Sequence, residues 1–371
     1  MNAAVDEYLM PGGGASITAL PKISLHDHLD GGLRPQTIIE LAEAIGLALP
    51  ASDPAGLADW FNEKKDSLVE YLKTFDLTTA VMQTHDGLSR VAREFVQDLG
   101  ADGVIYGEIR WAPEQHLVRG LTLDQVVEAV QEGIEAGIDD VRAAGGDIRI
   151  GQLVSAMRHL DRGLEIAELA VRHRSHGVVG FDIAGPEAGF PAGRMKSAFD
   201  YLASHFMPST VHAGEAAGIE SITGALVDGR ALRLGHGVRI AEDIQVARED
   251  DDNTYVTLGP VAQWVKDREI ALELSPTSNV DTHAFEQWGD ELIDHPFDLL
   301  YQLGFRVTVN TDNRLMSRTT LSRELFVLAE TFGYDLTDLA VFQLNAAAAS
   351  FLSLEDREEL TDQVTAGFEN A

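Results

Sequence analysis

Four short segments carry residue types able to hold a metal ion and move protons: HDH at His26 to His28, HAGE at His212 to Glu215, LGHG around His236, and NTDN ending at Asn313. Each follows an apolar run of strand character. If these runs are parallel strands of a closed barrel, the four segments converge on one rim, where imidazoles and carboxylates can hold a divalent cation. His26 and His28 stand two apart, which on a strand places both side chains on one face. That pair alone is equally consistent with two polar loop histidines. His212 and Asp312 add further ligands from distant parts of the chain. A set of histidines and a carboxylate without sulfur suits zinc, with iron, cobalt and manganese as alternatives, because ligand type narrows the metal without fixing it. Such an ion lowers the pKa of a bound water toward neutrality and delivers hydroxide to an electrophilic carbon. Hydrolysis is the reaction type this implies, and with no Lys at the end of the fourth apolar run to bridge a second ion, one ion per chain is expected.

Glu215, three residues beyond His212, starts the turn after its strand and can shuttle a proton to substrate; a helix N-terminal carboxylate favoured by the dipole is the alternative. His236 is flanked by glycines that let backbones approach closely, and it is placed to orient the attacking hydroxide. His85, His116, His159, His173, His176, His205, His283 and His295 lack partners of this kind in the sequence and are expected to be surface or packing residues.

The elements that must position these groups are eight apolar runs: KISLHDHL, GVIYGEIRW, DIRIGQLVS, GVVGFDIAG, STVHAGE, ALRLGHG, IALELSP and FRVTVNTD. Near-continuous apolar character is what strands buried on both faces require. Segments of period near 3.6, such as LDQVVEAVQEGIEAGIDDVRAA and RGLEIAELAVRHRSH, alternate with them and predict an outer layer of amphipathic helices. The fold class expected is α/β, a (β/α)8 barrel with extra helices between the first two strands, where TIIELAEAIG, SLVEYLKTFDLTTAVMQ and GLSRVAREFVQDLG lie. That extra material could form a lid. The expected organisation is an N-terminal leader at 1–20, a catalytic barrel at 21–354 and a C-terminal tail at 355–371. The acidic AREDDDN run reads as a solvated loop rather than a metal site, because crowded like charges need water.

The chain has 60 Asp+Glu against 28 Lys+Arg, a formal net charge of −32. A grip on nucleic acid needs a basic face and anionic lipid needs clustered Lys or Arg, so neither partner is expected. Cysteine is absent, which excludes disulfides, thiol nucleophiles and the Cys-ligated cytidine-type deaminases. The opening residues lack the pattern of a signal peptide and no run reaches the length of a membrane span. Cytoplasmic residence is the default expectation, and the oligomeric state is not legible.

PKISLHDHLDGGLRP, VHAGE, LGHG, SPTSN and VNTD, in this order from about Pro21 to Leu354, resemble the signature segments of the adenosine deaminase family of metal-dependent amidohydrolases, its bacterial members included. The resemblance implies a (β/α)8 barrel with one zinc that hydrolyses the 6-amino group of a purine nucleoside. Adenosine and 2′-deoxyadenosine would give inosine and 2′-deoxyinosine plus ammonia. It implies His26, His28, His212 and Asp312 as zinc ligands, with Asp312 also catalytic. Glu215 would be the proton donor to purine N1 and His236 the residue that holds the hydroxide. Asp30 would accept a hydrogen bond from the ribose, and the backbone of Gly185 would meet purine N3. Adenine-specific relatives tend to carry Glu in place of Asp30, which favours a nucleoside. The SLVEYLKTF segment resembles the family's mobile helical gate, with Leu68, Tyr71, Leu72 and Phe75 on one apolar face; packing into the core is the alternative. Arg110 resembles a structural position. Asn313 departs from the pattern NTDD, in which the second Asp faces purine N7. An amide donates to that lone pair at any pH, whereas a carboxyl must first be protonated. Two other readings stay open: deamination of another adenine-containing compound, or a non-catalytic binding member of the family.

Overall fold

A computed structural model describes residues 7–63, 71–249 and 254–371. The eight apolar runs form strands β1 (Lys22–His28), β2 (Val104–Trp111), β3 (Arg149–Met157), β4 (Val178–Ala184), β5 (Thr210–Ala213), β6 (Arg233–His236), β9 (Ala271–Leu274) and β10 (Val307–Val309), numbered around an intervening hairpin, β7 (Ile244–Glu249) and β8 (Thr254–Leu258). Parallel pairing gives two sheets, β1-β2-β3-β4 and β5-β6-β9-β10. Single parallel bridges, Phe181 to Ser209 and Asp27 to Asp312, join them into a closed ring. The barrel expected from the sequence is therefore the fold observed.

Strand alternation divides β1 between two tasks. Ile23 and Leu25 pack with Ala346, Ala347, Leu360 and Val364 of the last two helices, Leu336–Ala349 and Leu354–Glu369, while His26 makes its contacts with the rim histidines. Residues 355–371, set apart above as a tail, thus lie largely in a helix packed on the barrel. The leader is also engaged: the buried Lys22 ammonium donates to the carbonyls of Ile17, Thr18 and Leu20 at 2.8, 3.1 and 2.7 Å.

Helices Pro35–Ile45, Pro54–Phe61, Phe75–Val81 and His85–Ala101 occupy the long β1-to-β2 connection. The last begins at Thr84, whose hydroxyl accepts from Gly87 N–H, and Leu123–Ala143 begins with a Thr122/Gln125 capping box. Of the acidic run, only 247–249 are described, and they end a strand rather than lying in the loop expected there. The flanks of the run pair as the antiparallel β7/β8 hairpin, Ile244 opposite Leu258, and residues 250–253 lie outside the described residues. No helix among the described residues is long and apolar enough to cross a membrane.

Candidate metal centre and substrate pocket

All four motif segments reach the same rim. β1 ends on His26 and His28, and Asp312 is fixed beside them because His28 N–H donates to Asp312 O (2.8 Å) and Asp312 N–H to His26 O (2.9 Å). Asn310 reinforces the junction by accepting from the Leu25 and His26 amides, both at 3.0 Å. β5 supplies His212 and β6 supplies His236. Two of these residues sit in the left-handed region, His236 at φ 63° and Asp312 at φ 58°. Non-glycine residues are held there only where their surroundings over-determine them, and such positions cluster at functional sites. Gly235 bears out the close approach expected around His236, since a Cβ there would lie 3.0 Å from His212 Cα.

The ligand atoms of His26, His212, His236 and Asp312 lie within 4.8 Å of one another. His28 Nε2 stands 3.3 Å from both His212 Nε2 and Asp312 Oδ1, and His26 Nε2 is 3.2 Å from Asp312 Oδ1. Buried His26 Nε2 has no hydrogen-bond partner, an arrangement that costs stability unless a cation or donor completes it. The other face of each ring is committed. His26 Nδ1 donates to Glu273 at 3.1 Å, and His212 Nδ1 lies 2.8 Å from the Asp182 carboxylate. A carboxylate can only accept, so a neutral His26 turns an unprotonated Nε2 toward the cluster, the tautomer a metal ligand needs, and Asp182 beside Nδ1 favours the same arrangement in a neutral His212. Burial and the nearby Arg110 lower His26 to about 4, keeping it neutral. His212, although burial opposes its charge, is raised by Asp182, which makes its nitrogen a stronger donor. Asp312 commits Oδ2 to the Ser278 hydroxyl at 2.6 Å. Burial opposes its charge too, but His26, His236 and His28 outweigh that and hold it well below the usual carboxylate range. The donor set and its orphaned nitrogen fit one divalent cation.

Behind the ligands lies a layer of buried ions that the motifs do not reveal. Glu273 accepts from Arg110 (2.7 Å), Arg233 (2.6 Å) and Thr210 (3.0 Å) as well as His26, and Arg110 also meets Asp182 at 3.3 Å. Arg110, read above as structural, thus holds both carboxylates that orient ligands.

A cavity of about 410 Å³ opens over the cluster, lined by His28, Asp30, Tyr71, Leu72, Phe75, Gly185, His212, Glu215, His236, Asp312 and Asn313 among others. His26 lies beneath it, and Leu68 lies outside the described residues. Gly185 has φ 90°, a conformation that favours glycine and presents its backbone at the wall. Buried Glu215 places Oε2 at 3.7 Å from His236 Nε2, and burial raises its pKa. Its loop is gripped by Glu187, which accepts from the amides of Gly214, Glu215, Ala216 and Ala217 at 2.7 to 3.1 Å. Burial pushes Asp30 up to about 7. Two histidines read as surface or packing residues stand elsewhere: His159 lines the cavity, and His295 is hydrogen-bonded to Asn279, the partner of His236.

The adenosine deaminase family profile matches residues 21–367. Adenosine deaminase 1 of Streptomyces coelicolor is 52% identical over 351 residues, 94% of this chain and 87% of that protein. The adenosine deaminase of Mycobacteroides abscessus is 51% identical over 352 residues, 94% and 95% of the two chains. The chain belongs to the adenosine deaminase family. Among solved structures, the adenine deaminase of Arthrobacter aurescens superposes with a TM-score of 0.81 at 25% identity, covering 95% of this chain and 100% of that one. A family member of this kind is a hydrolase acting on a carbon–nitrogen bond, and the rim cluster is where this chain could hold the family's metal.

Proposed function

We propose that this protein is a zinc-dependent deaminase that hydrolyses adenosine and 2′-deoxyadenosine to inosine and 2′-deoxyinosine plus ammonia. One arrangement carries the reading: the carboxyl of Glu215, its pKa raised by burial, and the imidazole of His236 face each other across 3.7 Å, in a cavity whose floor is the His/Asp cluster.

His26, His28, His212 and Asp312 would hold one zinc ion per chain. When bound, the ion supplies a Lewis acid that brings the pKa of a water down toward neutrality. Glu215 hands its proton to purine N1, which makes C6 electrophilic. His236 orients the attacking water, and Asp312 takes a proton from it. The C6–O bond forms first; as the C6–N bond then breaks, the proton held by Asp312 leaves with ammonia and the proton left on the C6 hydroxyl returns to Glu215, giving the 6-oxo product with its N1–H. Asp30 receives a ribose hydroxyl, the Gly185 backbone meets N3, and the Asn313 amide donates to N7. Tyr71 and Phe75 close the apolar side. Residence in the cytoplasm is part of the same reading.

Ammonia release from adenosine, 2′-deoxyadenosine, adenine and other adenine-containing compounds, with elemental analysis of the same preparation, tests it. One equivalent of zinc and nucleoside turnover are expected. Two tightly bound equivalents, or full activity after stringent chelation, would overturn the mononuclear centre. A best substrate other than a nucleoside would move the reaction to another adenine compound.

A further inference from the structure

The hydrogen bonds behind His236 run in one direction, and that direction decides which of its nitrogens carries the proton. The chain starts at Phe297, whose backbone N–H donates to His295 Nδ1 at 3.0 Å. A peptide N–H can only donate, so Nδ1 accepts. His295 is buried, which lowers its pKa to about 3; it is neutral, and its one ring proton sits on Nε2. That proton faces Asn279 Oδ1 at 3.2 Å. A second backbone amide pins the same oxygen, because Ser275 N–H also donates to Asn279 Oδ1, at 3.3 Å. Asn279 therefore turns its NH2 group to His236 Nδ1, at 2.9 Å. An amide nitrogen donates, so Nδ1 of His236 accepts. A neutral His236 then carries its proton on Nε2, the nitrogen that faces Glu215.

We propose that Asn279 and His295 are positioning residues that hold His236 as its Nε2–H tautomer, so that His236 serves the reaction as a hydrogen-bond donor. This rests on the deaminase reading above and deepens it. To ligate a metal through Nε2, His236 would need a free lone pair there and a proton on Nδ1. That proton would point at the NH2 of Asn279, donor against donor in a buried site, a cost comparable to a lost hydrogen bond. His236 thus stands apart from the ligand set although its ring lies among the ligands, and His28 is the third imidazole. For the same reason neutral His236 cannot take a proton from the attacking water at Nε2. The acceptor is Asp312, while the Nε2–H of His236 steadies the water oxygen as its charge grows.

The direct test reads protonation rather than rate. In metal-loaded protein labelled with 15N-histidine, the signals lost in His236→Ala identify His236, and they are expected to show Nε2 protonated and Nδ1 bare. A proton on Nδ1, or metal coordination at Nε2, overturns the proposal. If the expected tautomer is found but no purine yields ammonia, the deaminase reading fails and the tautomer assignment stands. Kinetics give the second arm. Asn279→Asp places an acceptor where the donor was, so the His236 signals should invert and kcat should fall by roughly 10²-fold or more, with KM changed far less. His295→Gln keeps a donor toward Asn279 and should stay within about tenfold of the parent, whereas His295→Phe fills the space between Phe285 and Phe297 without one and should lose more. Unchanged kcat in Asn279→Asp, or equal losses in the two His295 variants, would sink the proposal.

Discussion

Glu215 is useful to the reaction only while it holds a proton. Burial raises its pKa, so the protonated form persists above the ordinary carboxyl range and is lost as pH rises through the shifted value. The expected result is an alkaline fall in kcat/KM that disappears in Glu215→Gln, because an amide neither titrates nor passes on a proton. That variant should keep its metal and lose turnover by about 10²–10⁴-fold, the usual worth of an acid–base group. Metal analysis beside ammonia release checks both halves, and activity within about tenfold of the parent would reassign Glu215. Residues of this kind are legible in sequence because they stand at strand ends with unusual neighbours: His26, His28, His212, Glu215, His236 and Asp312 all reach the rim. Their orienting partners are not. Glu273 and Asp182 are single charges inside apolar strands, Glu187 follows Gly-Pro, and His295 lies in a loop. Only the closed ring brings Glu273 of β9 to His26 of β1, 247 residues away in sequence.

Strands, at the next scale, carry both the position of the ligands and the cost of holding them. Glu273 is the point where β1, β2, β5 and β6 meet β9, since it receives His26, Arg110, Thr210 and Arg233. Although burial opposes its charge, Arg110 and Arg233 keep it ionised well below the usual carboxylate range. Glu273→Gln leaves two buried guanidinium groups with one counter-charge fewer each. Removing one partner of a buried pair typically costs 3–5 kcal/mol, so unfolding in denaturant should show a loss of about that size. Because the same oxygen fixes the tautomer of His26, metal affinity should fall roughly 10–100-fold as well. Loss of stability at unchanged metal affinity would show that Glu273 only holds the barrel together. The strands themselves were readable because burial on both faces writes a continuous apolar run. The β7/β8 hairpin was not, as its IQVARE arm mixes polar and apolar residues and leads into the acidic run. Helix Leu354–Glu369 escaped notice for a related reason: only Leu360 and Val364 are buried, leaving a mostly polar sequence without a clear stripe.

Charge acts on the molecule as a whole. A net charge of −32 surrounds a cavity whose described lining holds, beyond the metal cluster and Glu215, Asp30 and Asp76 against one Lys, Lys73. A neutral nucleoside enters this field without penalty, whereas a nucleotide brings a phosphate of about −1.5 to −2 into a strongly acidic surround beside Asp30, the ribose acceptor. AMP should therefore show a kcat/KM well below that of adenosine, with the difference in capture rather than in the chemical step. Salt separates this explanation from a steric one. Raising ionic strength shortens the Debye length from about 10 Å at 0.1 M to about 3 Å at 1 M, so repulsion felt at a distance is screened while a closed pocket stays closed. Over that range AMP should gain on adenosine, and adenosine should change little. Asp30→Ala should weaken both nucleosides, because the ribose loses its acceptor, and leave adenine unaffected. If AMP matches adenosine at low salt, or if Asp30→Ala leaves adenosine turnover intact, the nucleoside specificity is wrong even though the zinc chemistry can stand.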